Sequence, residues 1–264
     1  MTVYFPSGNY YFASNGSQRI GNHCIKMRSG VNIVGDGEST VLMPVGTSDG
    51  GIDMFYFNDY IDNLGPNYLE NCKFENFVID AINTSCEHYS TAGKGFMFNL
   101  FKNCHWDSVI VKNTDATGFG VDCPIDSSMI NCTAIGCGKA ATITNEGASG
   151  FGIGFGYSEN ESMLISNCIS DGNTKFGFFF EHQGRFNKNL YNSTISKGFI
   201  VENCKASYNL YNFGGINAFD LIYQNCNSIC AIDYGFYFIN SQDFKIINCY
   251  DNECEAEIYS TNII

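Results

Sequence analysis

Short runs of alternating apolar residues, each opened by a glycine, recur along the chain. They read Gly95-Phe96-Met97-Phe98, Gly118-Phe119-Gly120-Val121, Gly150-Phe151-Gly152-Ile153, Gly177-Phe178-Phe179-Phe180 and Gly235-Phe236-Tyr237-Phe238, with Gly214-Gly215-Ile216-Asn217-Ala218 a weaker copy. Period-two alternation entered through a glycine bend, with no helical periodicity between the runs, predicts short strands. A second pattern runs alongside. The dipeptide Asn-Cys, usually after an apolar stretch, occurs at Asn71-Cys72, Asn103-Cys104, Asn131-Cys132, Asn167-Cys168, Asn203-Cys204, Asn225-Cys226 and Asn248-Cys249. Successive cysteines are 32, 28, 36, 36, 22 and 23 residues apart. A base period near 22 that is repeatedly lengthened describes one coil with insertions at some corners, the mark of a solenoid. Several strands per coil, stacked in register, predict an all-β, single-stranded right-handed parallel β-helix. In that stack the asparagines are expected to form an inward ladder at one corner and the cysteines a buried column of small apolar side chains.

Composition narrows the partners. The 264 residues suit one β-helix domain over 1–264, and the net charge of −13 (14 basic against 27 acidic) argues against nucleic acid or an anionic membrane. It argues mildly against a polyanionic substrate unless a local cation compensates. No apolar run is long enough to cross a bilayer. Thirteen cysteines would ordinarily suggest bridges or metal. Equivalent residues of stacked coils stand about 4.8 Å apart, yet their parallel side-chain directions suit disulfide geometry poorly. No Cys-x-x-Cys occurs and no close pair has a histidine at zinc-finger spacing. Buried structural thiols are the expectation, with Cys132/Cys137, Cys226/Cys230 and Cys249/Cys254 on either side of turns. The odd count and the lack of a signal peptide fit a protein made in the cytoplasm.

Val3-Tyr4-Phe5-Pro6-Ser7-Gly8-Asn9-Tyr10-Tyr11-Phe12 opens the chain as strand, turn and strand, and Ser29-Gly30-Val31-Asn32-Ile33-Val34-Gly35-Asp36-Gly37-Glu38-Ser39-Thr40 follows after a polar loop. These two motifs resemble the first coils of the pectate-lyase-like right-handed β-helix superfamily, which includes bacteriophage tailspikes and depolymerases. The resemblance implies a polysaccharide or oligosaccharide partner, a homotrimer as in tailspikes, and an extracellular or virion-associated setting. It also makes the chain look trimmed from a longer protein, because relatives usually carry residues before the first motif. Insertions are expected over 46–67, from Asn83 to Gly93, and from Gln183 to Lys197; loops leaving a solenoid face are where function is usually added.

Aligning the runs on their glycines places chemistry. Residues one and three after the glycine are large and apolar and point inward, so residues two and four face out. The fourth-position column reads Asn99, Asp122, Gly154, Glu181, Phe219 and Ile239; the second reads Met97, Gly120, Gly152, Phe179, Asn217 and Tyr237. Asp122 and Glu181 then stand two coils apart, roughly 9.6 Å between backbones, with Gly152 and Gly154 leaving a groove floor between them. Inverting glycosidases hold their carboxyls roughly 6.5–9.5 Å apart. Asp122 and Glu181 are therefore candidate catalytic groups, with His182 and Arg185 just beyond them. Phe179, Tyr157, Tyr237 and Asn217 are candidate substrate contacts. Asp122 with Asp126, as hard oxygen ligands, would suit Ca²⁺, and Glu146 is an alternative acid. The plainer alternative is that outward carboxylates are solvated surface, that His182 caps a strand and that the aromatics pack. His105-Trp106, after an Asn-Cys corner away from this groove, read as packing residues.

Two closer resemblances fail on their motifs. Asn113-Thr114-Asp115 is similar to a polygalacturonase motif, but Phe151, Phe179 and Glu181 stand where that family's histidine, arginine and lysine would be, and no Asp-Asp pair exists. Tyr234-Gly235-Phe236 resembles the start of an alginate epimerase signature, yet Tyr237-Phe238-Ile239 follows in place of Asp-Pro-His. Two functions remain open. One is a depolymerase: a hydrolase using both carboxyls, or a lyase in which His182 or Arg185 acts with Ca²⁺. The other is a non-catalytic glycan-binding or structural β-helix of a phage tail or surface protein.

Overall fold

The computed structural model describes residues 1–13, 22–47, 51–58, 67–142, 147–158, 160–183, 198–252 and 256–261. Every strand pairing among them is parallel, and the only helical pieces are the 3₁₀ turns Gly37–Ser39 and Tyr89–Thr91. The chain winds into a parallel β-helix with three strands per coil. One sheet runs from His23–Lys26 through Asp53–Asn58, Phe96–Lys102, Phe119–Ile125, Ser149–Phe155, Phe176–His182, Tyr211–Ile216 and Tyr234–Ile239 to Ala256–Thr261. A second stack passes through Ser127–Ile130, Ser162–Ser166, Gly198–Glu202, Leu221–Gln224 and Lys245–Ile247. A third passes through Thr133–Ile135, Ile169–Asp171, Lys205–Ser207, Asn227–Ile229 and Tyr250–Asn252. The long strand His105–Lys112 joins the last two stacks, bending at Ser108, whose φ is 55°.

The interior follows from the alternation. Phe55, Phe96, Phe119, Phe151, Phe178, Phe213 and Phe236 form one column of stacked rings, the Phe119–Phe151 and Phe151–Phe178 centroids each 4.7 Å apart. Such pairs contribute about 0.5–1.5 kcal/mol each beyond the area they bury, so the first sheet is held to the core by its own repeat. The glycines that open the runs are needed for close approach. A Cβ on Gly118 would stand 2.8 Å from the Gly150 carbonyl oxygen, and one on Gly177 would stand 2.5 Å from that of Asn212.

The cysteine column is buried from Cys72 to Cys226, and every described cysteine is a free thiol. Backbone N–H groups of Cys132 and Cys168 each donate to the sulfur one coil on, at 3.4 Å. Burial pushes the Cys137 thiol up to about 11 and that of Cys168 well above its ordinary range.

The asparagines beside them correct the expected inward ladder. All seven are exposed, with φ between 50° and 58°. They are selected because Asn tolerates the left-handed conformation that a tight corner demands. Two side-chain links survive on the outside, Asn103 Nδ2 to Asn71 Oδ1 at 2.6 Å and Asn225 Nδ2 to Asn203 Oδ1 at 3.3 Å. The buried amide ladder lies at another corner, where Asn173 donates to Asn209 and Asn209 to Asn212 at 2.9 and 2.8 Å.

The 46–67 insertion is corrected too, since it contains the buried core strand Asp53–Asn58. The Gln183–Lys197 insertion lies, apart from Gln183, outside the described residues. No helix among them is long and apolar enough to cross a membrane.

Candidate functional site

The outward side of the first sheet carries a cavity of about 400 Å³, within the range of ligand sites. Its floor is Gly120, Gly152 and Gly154, and its carboxyls are Asp122 and Glu181. Strand register places them: Asp122 pairs with Gly154, and Gly154 with Glu181. Two strand spacings of about 4.8 Å therefore separate the carboxylate-bearing backbones, and both residues are half-buried. Gly154 is required here because the Asp122 carboxylate and the Gln183 amide already occupy the space its Cβ would take.

The register corrects one candidate. Glu181 pairs with Ile216 and Phe179 with Gly214, so Gly214 occupies the second-position column and Ile216 the fourth. Asn217 falls past the end of its strand, at a corner with φ 52°. The weaker glycine copy misled the alignment because Asn212, not a glycine, holds the bend there.

His182 is also turned away from the groove. It shares the inward parity of Phe178 and Phe180, is 4% exposed, and packs its ring against Phe155 and Phe219. Burial holds its pKa below the ordinary histidine value. Tyr157 lies beyond the corner at Gly156 and outside the cavity, its N–H donating to Glu161 Oε1 at 2.9 Å. Asp126 stands exposed on the turn before Ser127–Ile130, where its Oδ1 accepts from the Ser162 hydroxyl at 3.4 Å. It does not join Asp122 in the cavity, and among the described residues no three His, Cys, Asp or Glu side chains gather as a metal-binding group. Arg185 and Glu146 lie outside the described residues. Asn113-Thr114-Asp115 is a corner, its Asp115 buried and paired with Lys139 at 3.3 Å.

Phe179 lines the cavity but is only 7% exposed, because its ring stacks on Phe176 with centroids 4.3 Å apart. Tyr237 is half-exposed two strands further on and stacks on Tyr211 at 4.0 Å and 5°.

A column that the alternation rule missed completes the wall: Lys94, Thr117 and Ser149, each immediately before an opening glycine. The bend resets the parity, so these side chains point out beside the second-position column. Lys94 lies across Gly120, the stem within 2.5 Å of where a Cβ would stand, and its Nζ is 3.5 Å from Met97 Sδ. Recurrence of a polar residue just ahead of the glycine was the available signal. Tyr89 and Gln183 close the cavity from the insertions on either side.

No protein-family model matches the chain, and no curated protein does. Solved structures match across nearly its whole length. The Azotobacter vinelandii mannuronan C-5 epimerase AlgE4 A-module superposes with a TM-score of 0.63 at 17% identity, covering 96% of this chain and 69% of that one. ORF18 of Geobacillus virus E2 gives 0.64 at 15% identity, over 98% of this chain and 53% of that one. A tailspike protein double mutant of E. coli bacteriophage HK620, in complex with pentasaccharide, gives 0.61 at 14% identity, covering 100% of this chain and 44% of the tailspike. At these identities the likeness is one of fold, and the shared fold is the parallel β-helix.

Proposed function

We propose that the glycine-floored groove takes a polysaccharide and that Asp122 and Glu181 hydrolyse it as a general acid and general base. The observation that carries this reading is the register Asp122–Gly154–Glu181, which sets the two carboxyls on the strands flanking a glycine, with the Gln183 amide lying over that glycine beside the Asp122 carboxylate. The backbones are roughly 9.6 Å apart, and because the Asp122 carboxylate already leans over Gly154, a Glu181 carboxyl turned outward brings the pair into the roughly 6.5–9.5 Å range that admits a water and inverts the anomeric centre. One carboxyl protonates the glycosidic oxygen while the other takes a proton from the attacking water. Support for the substrate class comes from fold neighbours whose names carry it: an epimerase of mannuronan and a tailspike holding a pentasaccharide. If the reaction is instead β-elimination, Lys94 is the described cation at the groove, the place that His182 was expected to take.

The test is incubation with a panel of neutral and acidic polysaccharides, following reducing ends and, separately, the ultraviolet absorbance of unsaturated uronates. New reducing ends without absorbance support hydrolysis. Both signals together favour elimination. Glycan binding with neither signal would leave the chain a binding module and overturn the catalytic reading.

A further inference from the structure

The second strand stack carries a polar constellation away from the groove. His105 and Ser128 are register neighbours on adjacent strands, and the Ser128 hydroxyl lies 2.8 Å from His105 Nδ1. The other ring nitrogen, Nε2, lies 2.8 Å from Asn103 Oδ1. The orientation of that amide is set by the corner column, since Asn103 Nδ2 donates to Asn71 Oδ1. Asn103 Oδ1 therefore accepts from the imidazole, which places the ring proton on Nε2 and leaves the Nδ1 lone pair to receive the Ser128 O–H. Burial, and secondarily the charge of Lys73, hold the His105 pKa below its ordinary value, so the ring is a neutral base at pH 7. Ser128 and His105 are both half-exposed. The order nucleophile, imidazole, amide oxygen is that of the Cys-His-Asn sites of papain-like proteases, which recur by geometry rather than by sequence position.

What lies next to the serine indicates the substrate. In register with Ser128, one per coil, stand Leu164, Ile200 and Ile222, all half-exposed. At about 4.8 Å per coil they make an aliphatic shelf roughly 10 Å long, its far end roughly 14 Å from the serine.

We propose that Ser128 and His105, positioned by Asn103, form a second site that cleaves carboxylic esters with an aliphatic acyl group lying along the Leu164–Ile222 shelf. Ser128 Oγ bonds to the ester carbonyl carbon as its proton passes to Nδ1. Collapse breaks the carbon–alkoxy bond, and the leaving alkoxide takes that proton. Water then attacks the acyl-serine with the same base, giving the carboxylic acid and restoring the hydroxyl. The Ser128 N–H is engaged by the Cys104 carbonyl in the parallel ladder and does not serve the oxyanion. Lack of one such donor costs about 10²–10³ in rate, so slow turnover and efficient covalent capture are expected.

The test is reaction of the full chain with an alkyl fluorophosphonate, read by intact mass and peptide mapping, and with p-nitrophenyl acetate and butyrate. One adduct on Ser128 is expected, absent in Ser128→Ala and after denaturation. His105→Ala should slow capture by at least about 100-fold, the lower end of general-base contributions. Capture should rise with pH through a midpoint below 6.5, and Asn103→Gly, which keeps the left-handed corner and removes only the amide, should shift that midpoint, an effect a merely structural amide would not have. Butyrate should be favoured over acetate, and Leu164→Ser should reduce the preference. No adduct, an adduct on another residue, or capture indifferent to His105→Ala would overturn the proposal.

Discussion

Two neighbouring stretches of the same sheet face share backbone, spacing and register, yet one is hollow and the other filled. Across the Phe96–Lys102, Phe119–Ile125 and Ser149–Phe155 strands, the residue before the glycine is Lys94, Thr117 or Ser149, and Gly120 and Gly152 follow two places after it. One coil further on, the same positions are Phe176 and Phe179, and beyond them Tyr211 and then Tyr234 with Tyr237, joined in one row of stacked and tilted ring contacts. The backbone cannot be the cause of the cavity, because it continues unchanged beneath the aromatic stretch. Side-chain volume at two outward columns decides where a ligand can sit. The repeat thus leaves the interior phenylalanine column intact while the exterior is free to vary.

The largest expected effect breaks the hollow stretch chemically. Asp122→Asn and Glu181→Gln each remove one proton-transfer group without altering volume, and turnover on whichever polysaccharide is cleaved should fall by about 10²–10⁴. Circular dichroism and melting temperature should not change; full activity in both variants would sink the carboxylate pair.

Asp53 begins the column that continues as Lys94, Thr117 and Ser149, and it tests what that column costs in stability. Desolvation pushes its pKa from 3.8 up to about 7, against the N–H of Lys94, which donates to Oδ1 at 2.8 Å, and the Lys94 charge. A carboxyl that holds its proton longer folded than unfolded loses stability as pH rises from about 4 to about 7. At 1.36 kcal/mol per unit, the loss is on the order of 4 kcal/mol above pH 7. Asp53→Asn keeps the acceptor for Lys94 and removes the ionisation. Its melting temperature at pH 8 should exceed that of the parent by several degrees, and the two should converge near pH 4. Equal pH dependence would show that Asp53 does not ionise on unfolding.

Gly152→Phe sharpens the comparison from the other side by copying Phe179 one coil earlier. A Cβ there meets the Ser149 hydroxyl at 2.7 Å, a tip that can rotate. The fold should survive, and glycan affinity should weaken at least tenfold, about 1.4 kcal/mol. Unchanged binding by isothermal titration would mean that the ligand lies elsewhere.

How much of this the sequence disclosed follows from which residues repeat. Inward positions obey a period of two and a strict apolar rule, so Phe119, Phe151 and Phe178 could be stacked on paper. The pair Asp122–Glu181 came from the same count. Lys94 did not, because a glycine bend resets the alternation, and period alone does not reveal a reset. Asn217 and His182 depart from the alternation for related reasons. The first follows a glycine pair, whereas Asn212 takes the place of the opening glycine; the second is polar at an inward position, where packing against Phe155 and Phe219 explains it. The Asn-Cys repeat marked the corner correctly, but a repeated asparagine reads equally as a buried amide or a left-handed turn. The φ values decide for the turn.

The smallest effect concerns the filled stretch. Tyr237 is half-exposed at the far end of the aromatic row, two strands from Phe179. If a polysaccharide runs along the helix axis from the hollow stretch, a sugar two or three residues from the cleavage point reaches this ring. A stacking contact of about 0.5–1.5 kcal/mol amounts to a change of roughly two- to tenfold. Tyr237→Ala should therefore raise KM for long oligosaccharides by that factor, with kcat unchanged, because a ring so far from the scissile bond binds substrate and transition state alike. Short oligosaccharides that end before the aromatic row should show no change. A KM shift for short substrates as well would mean that the Tyr211–Tyr237 stack supports the wall of the cavity instead of touching the ligand, and the two stretches would then be one site.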